Sequence, residues 1–127
     1  MRESELPSLS PGELDVMKIL WSADEMAARE VHSEAADQLG WSYSTTRTVL
    51  ERLVKKGVVQ KRRFHGLHLY GAKITRAAGI ARWVRDFADR ILDGPTAPVV
   101  SMMAESGQLS RDELDELRRL LEPGEES

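Results

Sequence analysis

The stretch SYSTTRTVLERLVKKGVVQKRRF, residues 42–64, decides how the rest of the chain is read. In its first half Thr46, Val49, Leu50, Leu53 and Val54 recur at the spacing of one helical face. Opposite them fall Ser44, Thr48, Glu51 and Lys55, with Arg47 and Arg52 on the flanks. Ser42 suits the N-cap, because its hydroxyl accepts a free backbone N–H of the first turn. Gly57 suits the left-handed residue just past the end, and Lys55 and Lys56 then sit near the negative pole of the helix dipole. Beyond it, Val58 and Val59 open a strand through Lys61, Arg62 and Arg63. A turn at Gly66 separates this run from His68-Leu69-Tyr70, which completes a hairpin. A helix that buries one side and offers hydroxyls and guanidiniums on the other has the layout of one laid into the DNA major groove.

Working back toward the N-terminus, LSPGEL at residues 9–14 is a helix start. Ser10 and Glu13 form a capping box, Pro11 takes the first helical position, and Leu9 is placed to staple Leu14. The helix runs to about Trp21, with Leu14, Met17 and Trp21 on its stripe and Val16 and Leu20 widening it. Residues 22–27 read as a polar turn. A second helix covers about 28–39, its small apolar face formed by Ala28, Val31, Ala35 and Leu39, and Gly40 ends it. Trp41 reads as a core plug at the corner. Only a few residues then precede the third helix, which is helix-turn-helix spacing. Three helices and a basic hairpin make a winged helix.

Charge supports a polyanionic partner. The 127 residues carry a net −3, but unevenly. Residues 1–40 hold 3 basic and 9 acidic side chains, net −6; residues 41–85 hold 11 and 1, net +10; residues 86–127 hold 4 and 11, net −7. A positive block between two negative ones marks an anionic partner, although a solvated basic surface balanced by its own flanks has the same composition. The chain has no cysteine, which removes disulfides and thiolate metal sites. It has no apolar run long enough to cross a bilayer and no signal peptide. The expectation is a cytoplasmic protein without membrane insertion.

The last third changes character. A long helix is expected over about 75–93, with Ile80, Trp83, Val84, Phe87 and Ile91 on one face, and Gly94-Pro95 stops it. A short apolar piece, 98–104, and a Ser106-Gly107-Gln108 loop follow. A second capping box, Ser110 with Glu113, starts a helix whose stripe is Leu114, Leu117 and Leu121. These helices carry more apolar side chains than they can bury among themselves, and a two-fold dimer covers the excess; packing back on the first helix is the alternative. From Glu122 the tail is acidic and expected to fray. The fold class is therefore mainly α with a small β-hairpin, in two parts. Residues 1–74 form a winged helix-turn-helix DNA-binding domain, and 75–127 a helical dimerisation domain with an acidic tail.

Three motifs, LSPGELDVMKILW, WSYSTTRTVLERLVKKG and the run 109–121, occur in an order that resembles the penicillinase-repressor family (the BlaI/MecI/CopY repressors) over about residues 7–122. The resemblance implies a bacterial winged-helix repressor, dimeric through its C-terminal helices, on a palindromic operator of β-lactam-resistance or related stress genes. The family's Trp-Ser-x-x-Thr-x-x-Thr signature falls on Trp41, Ser42, Thr45 and Thr48, and its Arg-Leu pair on Arg52 and Leu53. Where the family often has Gly-Arg at the wing tip, Gly66 here precedes Leu67. The cysteine site of copper-responsive members has no counterpart. In members controlled by a sensor protease the cut lies in the short helix matching 98–104, and the corresponding bond joins Met102 and Met103.

Ser44, Arg47 and Thr48 are placed to read base edges; Arg47 suits guanine and the Thr48 methyl a thymine methyl, and Thr48 also matches the signature. A phosphate contact or an i,i+4 pair with Glu51 is the alternative for Arg47. Ser42, Tyr43, Thr45, Arg52, Lys55 and Lys56 suit phosphates or solvent. On the wing Lys61 and Arg63 share one side and Arg62 the other, so only one set faces DNA directly. His32, His65 and His68 invite a metal reading, but His65 and His68 lie near the hairpin turn with no carboxylate nearby in sequence and read as exposed turn residues. No nucleophile motif or phosphate loop supports catalysis or a cofactor. The rival to a DNA-binding repressor is a winged helix that docks an acidic protein. A small-molecule sensor lined by Trp83 and Phe87 is a third reading, against a core role for both.

Overall fold

A computed structural model describes residues 6–121; the expected acidic tail from Glu122 lies outside the described residues. The chain divides into two compact units, Leu9–Thr75 and a second made of residues 6–8 with 76–121.

In the first unit the local signals act as read. Helix α1 spans Pro11–Trp21, and its capping box is complete: the Glu13 N–H donates to Ser10 Oγ at 3.2 Å and the Ser10 N–H to Glu13 Oε1 at 2.8 Å. Helix α2 spans Ala28–Leu39 and α3 spans Tyr43–Lys55. The α3 stop is Gly57, whose φ of +82° costs a glycine little. Strands β2 (Val59–Phe64) and β3 (Leu67–Ala72) pair antiparallel, closed by a turn in which His65 and Gly66 both have positive φ, 50° and 79°. That is the backbone twist a two-residue hairpin turn requires.

One element departs from the sequence reading. Residues 22–27 are not wholly a turn, because β1 (Met26–Ala27) pairs with β3 through Met26↔Tyr70 and Ala27↔Leu69. The sheet is therefore three-stranded, in the order β1-β3-β2. The core is built from α1 (Val16, Met17, Leu20), α2 (Val31, Ala35), α3 (Leu50, Leu53) and the sheet (Val58, Val59, Tyr70). Trp41, read as a plug, is only half-buried; its ring lies over Gly12, where an added Cβ would stand 3.3 Å away. Trp21 is half-buried too, and its indole N–H donates to the Ile74 carbonyl at 2.9 Å.

In the second unit α4 covers Arg76–Phe87, α5 Ala97–Ser106 and α6 Arg111–Leu121. The long helix expected over 75–93 changes winding: Ala88–Leu92 is a π-helical turn, ended by Asp93 at φ 51°. The Gly94 N–H reaches back to the Ala88 carbonyl at 3.1 Å, so the wide turn closes on itself. The second capping box is present, with the Glu113 N–H donating to Ser110 Oγ at 3.1 Å. Ala81, Val84, Val99, Val100, Leu117 and Leu121 form this unit's own core. Val84, Leu117 and Leu121, expected at an interface between copies, are thus buried inside one chain, because α5 and α6 fold onto α4. Ile80, Phe87 and Leu114 are half-buried. Trp83, Ile91, Leu92 and Met102 remain exposed, Ile91 at 67% and Met102 at 71%. Among the described residues no helix is long and apolar enough to cross a membrane.

Candidate nucleic-acid interface

Helix α3 owes its orientation to its apolar face. Thr46, Val49, Leu50 and Leu53 are buried, and Thr46 resolves its hydroxyl by donating to the Ser42 carbonyl at 3.1 Å. Burying these side chains contributes about 1.5–3 kcal/mol for each large one, which fixes the opposite face toward water. On that face Ser44, Thr45, Arg47, Thr48, Arg52 and Lys55 are all exposed. Ser42 accepts the Thr45 N–H at 3.1 Å and donates its own proton to Thr45 Oγ1 at 3.1 Å, so the two hydroxyls complete the cap.

Tyr43, in the first turn of α3, gathers three neighbours. The Arg29 guanidinium lies 5.1 Å from its ring centroid and that of Arg47 6.0 Å away. The His32 ring meets it edge-on at 5.5 Å. The Tyr43 side chain beside it is the largest influence holding the Arg47 pKa above its usual value. His32 is set in turn by a 3.2 Å contact between Nε2 and the Trp41 carbonyl. Arg29 escaped the sequence reading and His32 was weighed only as a metal ligand, since only the folded angle between α2 and α3 brings them to Tyr43.

Glu51, the one acid of the basic block, joins α3 to the wing. Its carboxylate accepts from the Tyr70 hydroxyl at 2.6 Å and from Lys61 Nζ at 3.1 Å. The Tyr70 hydrogen bond is the main influence holding the Glu51 carboxyl below its usual range; burial opposes it and Lys61 assists. Burial, then the bond to Glu51, pushes the Tyr70 phenol up to about 12. The Glu51 hydrogen bonds go to the wing, while Arg47, one turn earlier on α3, still adds a favourable charge that helps hold the Glu51 carboxyl low.

Two more cations have partners inside the chain. Arg62 donates twice to Glu25, at 2.6 and 2.7 Å. Lys56 Nζ lies 2.7 Å from Glu13 Oε1, and that carboxylate is 1% exposed. Lys56, Lys61 and Arg62 were expected at phosphates, and each is held by an acid that sequence distance concealed. Among the described residues Arg52, Lys55 and Arg63 have no ion-pair partner, and like Arg47 they are exposed to solvent. Also among the described residues, no three His, Asp or Glu side chains gather as metal ligands.

Comparison with known proteins adds to this geometry. The family model described as penicillinase repressor matches residues 9–123. The penicillinase repressor of Bacillus licheniformis is 31% identical over 118 residues, 93% of this chain and 92% of that one. The methicillin resistance regulatory protein MecI of Staphylococcus aureus (strain N315) is 28% identical over 113 residues, covering 89% and 92%. Among solved structures, the DNA-binding domain of the repressor BlaI in solution superposes with a TM-score of 0.53 at 31% identity, over 61% of this chain and 93% of that one. The monomeric form of the Bacillus licheniformis BlaI, in complex with the blaP half-operator, matches with the same TM-score and identity over 58% and 90%.

Proposed function

We propose that this chain, which belongs to the penicillinase-repressor family, is a transcriptional repressor that binds a palindromic operator as a homodimer. Each protomer sets α3 into a major groove. One observation carries the reading: α3 buries its apolar face in the core and leaves Ser44, Arg47 and Thr48 exposed together at its N-terminal half, where base edges are read. Arg47 takes a guanine and Thr48 a thymine methyl. Arg52, Lys55 and Arg63 neutralise phosphates, with Ser42, Tyr43 and Thr45 as neutral donors beside them, while Lys56, Lys61 and Arg62 fix the geometry from within.

The half-operator bound by the monomeric Bacillus licheniformis relative supports a site of two halves, hence a two-fold dimer. Trp83, Ile91, Leu92 and Met102 supply the apolar surface for it. The genes controlled are those of β-lactam resistance or a related stress response, and a sensor protease acting between Met102 and Met103 relieves repression; Met102 stands exposed and Met103 is half-buried. The protein works in the cytoplasm, where the promoters are. Selection of bound sequences from random DNA tests the central claim. The expected product is an inverted repeat bound with steep salt dependence; recovery of no preferred sequence would defeat it.

A further inference from the structure

Operator reading by α3 does not account for the wing tip. Phe64 and Leu67 face each other as the last cross-strand pair before the turn, and both are exposed, at 46% and 58%. A cross-strand pair of this kind contributes only about 0.2–1 kcal/mol to the hairpin, which leaves the exposed part of two large apolar side chains without a structural use. Nor is the tip loose. The His65-Gly66 turn has positive φ at both residues. The Phe64 ring is flanked by the Arg62 guanidinium, 5.1 Å from its centroid, and by the His65 ring, edge-on at 4.1 Å. Arg62 is itself anchored to Glu25 by two hydrogen bonds.

The sequence around the tip is basic: no Asp or Glu occurs between Glu51 and Asp86, and Arg63 stands across from His68 on the neighbouring strand. The acids that reach the wing, Glu25 and Glu51, are occupied by Arg62 and Lys61. Phe64 lies three extended residues, about 10 Å, beyond Lys61, whose ammonium meets Glu51 on α3. An apolar point with the Arg62 guanidinium against its ring and Arg63 on the other face of its strand fits a surface with anionic walls and an apolar interior. The duplex minor groove is such a surface: phosphates line it, and its stacked bases part most readily at pyrimidine–purine steps.

We propose that the wing tip is a minor-groove wedge, with Phe64 and Leu67 inserting at a base step beside the half-site read by α3. The inference rests on α3 binding DNA. Apolar side chains used this way partly unstack a step, at a cost of a few kcal/mol, so the wedge prefers flexible steps, TA above all, at positions that α3 does not touch. An acidic protein with an apolar pocket is the competing occupant.

The test uses the full chain and the duplex recovered by selection with wild-type protein, carrying 2-aminopurine at successive steps outside each half-site. Wild type should raise the fluorescence at one step per half-site. The Phe64→Ser/Leu67→Ser variant should lose that rise and bind roughly tenfold more weakly. Its log–log salt slope should stay unchanged, since no phosphate contact is removed. Leu67→Arg should also lose the rise while steepening the slope by about 0.9 per protomer. Replacing the step by a stiff A-tract should weaken wild type and leave the double variant indifferent. An unaltered melting temperature shows that the variants are folded. Wild-type affinity in the double variant, with no fluorescence rise in wild type, overturns the wedge and leaves α3 recognition standing; a tip that docks an acidic protein gives that result. Failure of the wild-type chain to bind any duplex in a salt-sensitive way removes the DNA reading itself.

Discussion

Replacing Lys56 by Met separates a structural lysine from a DNA-binding one. Glu13 is 1% exposed and accepts from Lys56 Nζ at 2.7 Å and from the Ser10 N–H at 2.8 Å, while its Oε2 is buried with no hydrogen-bond partner among the described residues. Burial is the largest influence on this carboxyl and opposes its charge. The hydrogen bonds from Lys56 and Ser10, with the Lys56 charge, outweigh it, and the pKa falls below the usual range. Removing one partner of a buried pair costs about 3–5 kcal/mol. The Lys56 side chain keeps 29% exposure, so water compensates part of the loss, and about 2–3 kcal/mol is expected. Urea unfolding followed by Trp21 and Trp41 emission in a Trp83→Phe background reads this unit. At a slope of about 1–3 kcal/mol per molar, the midpoint should drop by roughly 1–2 M. A folded-state pKa depressed below the unfolded value contributes stability above that unfolded value, near ~4.3, and loses it as pH falls through the folded one. The gap between wild type and variant should therefore narrow in acid. Operator binding should keep its salt slope. A Lys56→Met protein that unfolds at the wild-type midpoint and flattens that slope by about 0.9 per protomer would refute the assignment.

Three further outcomes are expected. Arg47→Ala should weaken operator binding by about 1–3 kcal/mol and relax preference at one base pair, whereas Arg63→Ala should weaken operator and scrambled duplex alike; equal losses on both for Arg47→Ala would show that it contacts only phosphate. Tyr70→Phe removes the 2.6 Å bond to Glu51 and should destabilise by about 1.5–3 kcal/mol in thermal unfolding. Because the Tyr70 pKa is raised in the folded state, wild-type stability present below about pH 10 is lost as pH climbs toward the folded value, and the phenylalanine variant should lack that alkaline decline. Ile91→Glu, at a position 67% exposed, should leave the melting temperature within a few degrees and shift sedimentation from dimer to monomer; an unchanged dimer would move the interface elsewhere.

Much of the fold was legible because its signals are local. The Ser10-Glu13 and Ser110-Glu113 boxes, the Ser42 cap and the Gly57 stop each depend on residues within a few positions, and each is present in the structure. Strand β1 was not legible: two residues show no alternation, and only pairing with Tyr70 and Leu69 makes Met26–Ala27 a strand. The same limit applies to the charges. Glu13 and Lys56 are 43 positions apart and Glu25 and Arg62 are 37 apart. Counting showed a block of +10 without showing which cations acids already hold. In the C-terminal unit the α6 stripe buries Leu117 and Leu121, but burial along the long helix runs through Ala77, Ala81, Val84 and Ala88, while Trp83 and Ile91 of the expected stripe stay exposed. Apolar periodicity marks a candidate face, not what covers it: Val84, Leu117 and Leu121 meet within one chain, and small alanines that the large apolar residues overshadowed complete the buried face.

The internal ion pairs also explain how a chain of net charge −3 suits a polyanion. Screening confines electrostatic influence to about 10 Å at 0.1 M salt, so the cations left unpaired on α3 and the wing matter more than the total. If Arg52, Lys55 and Arg63 each meet a phosphate, the log–log slope is roughly −2.7 per protomer; with Lys56, Lys61 and Arg62 added it would be roughly −5.4. The difference is what Glu13, Glu51 and Glu25 withhold, and each withheld charge has a mechanical use. Glu51 binds Tyr70 and Lys61 across from α3, and Glu25 clamps Arg62 from the approach to β1. The wing is thereby fixed against α3 before any duplex arrives. A hairpin already ordered does not lose that freedom on binding, so the conformational cost of association falls. The acids reduce the electrostatic attraction in exchange for a fixed angle between reading helix and wing, and that exchange favours discrimination between sequences over affinity for all of them.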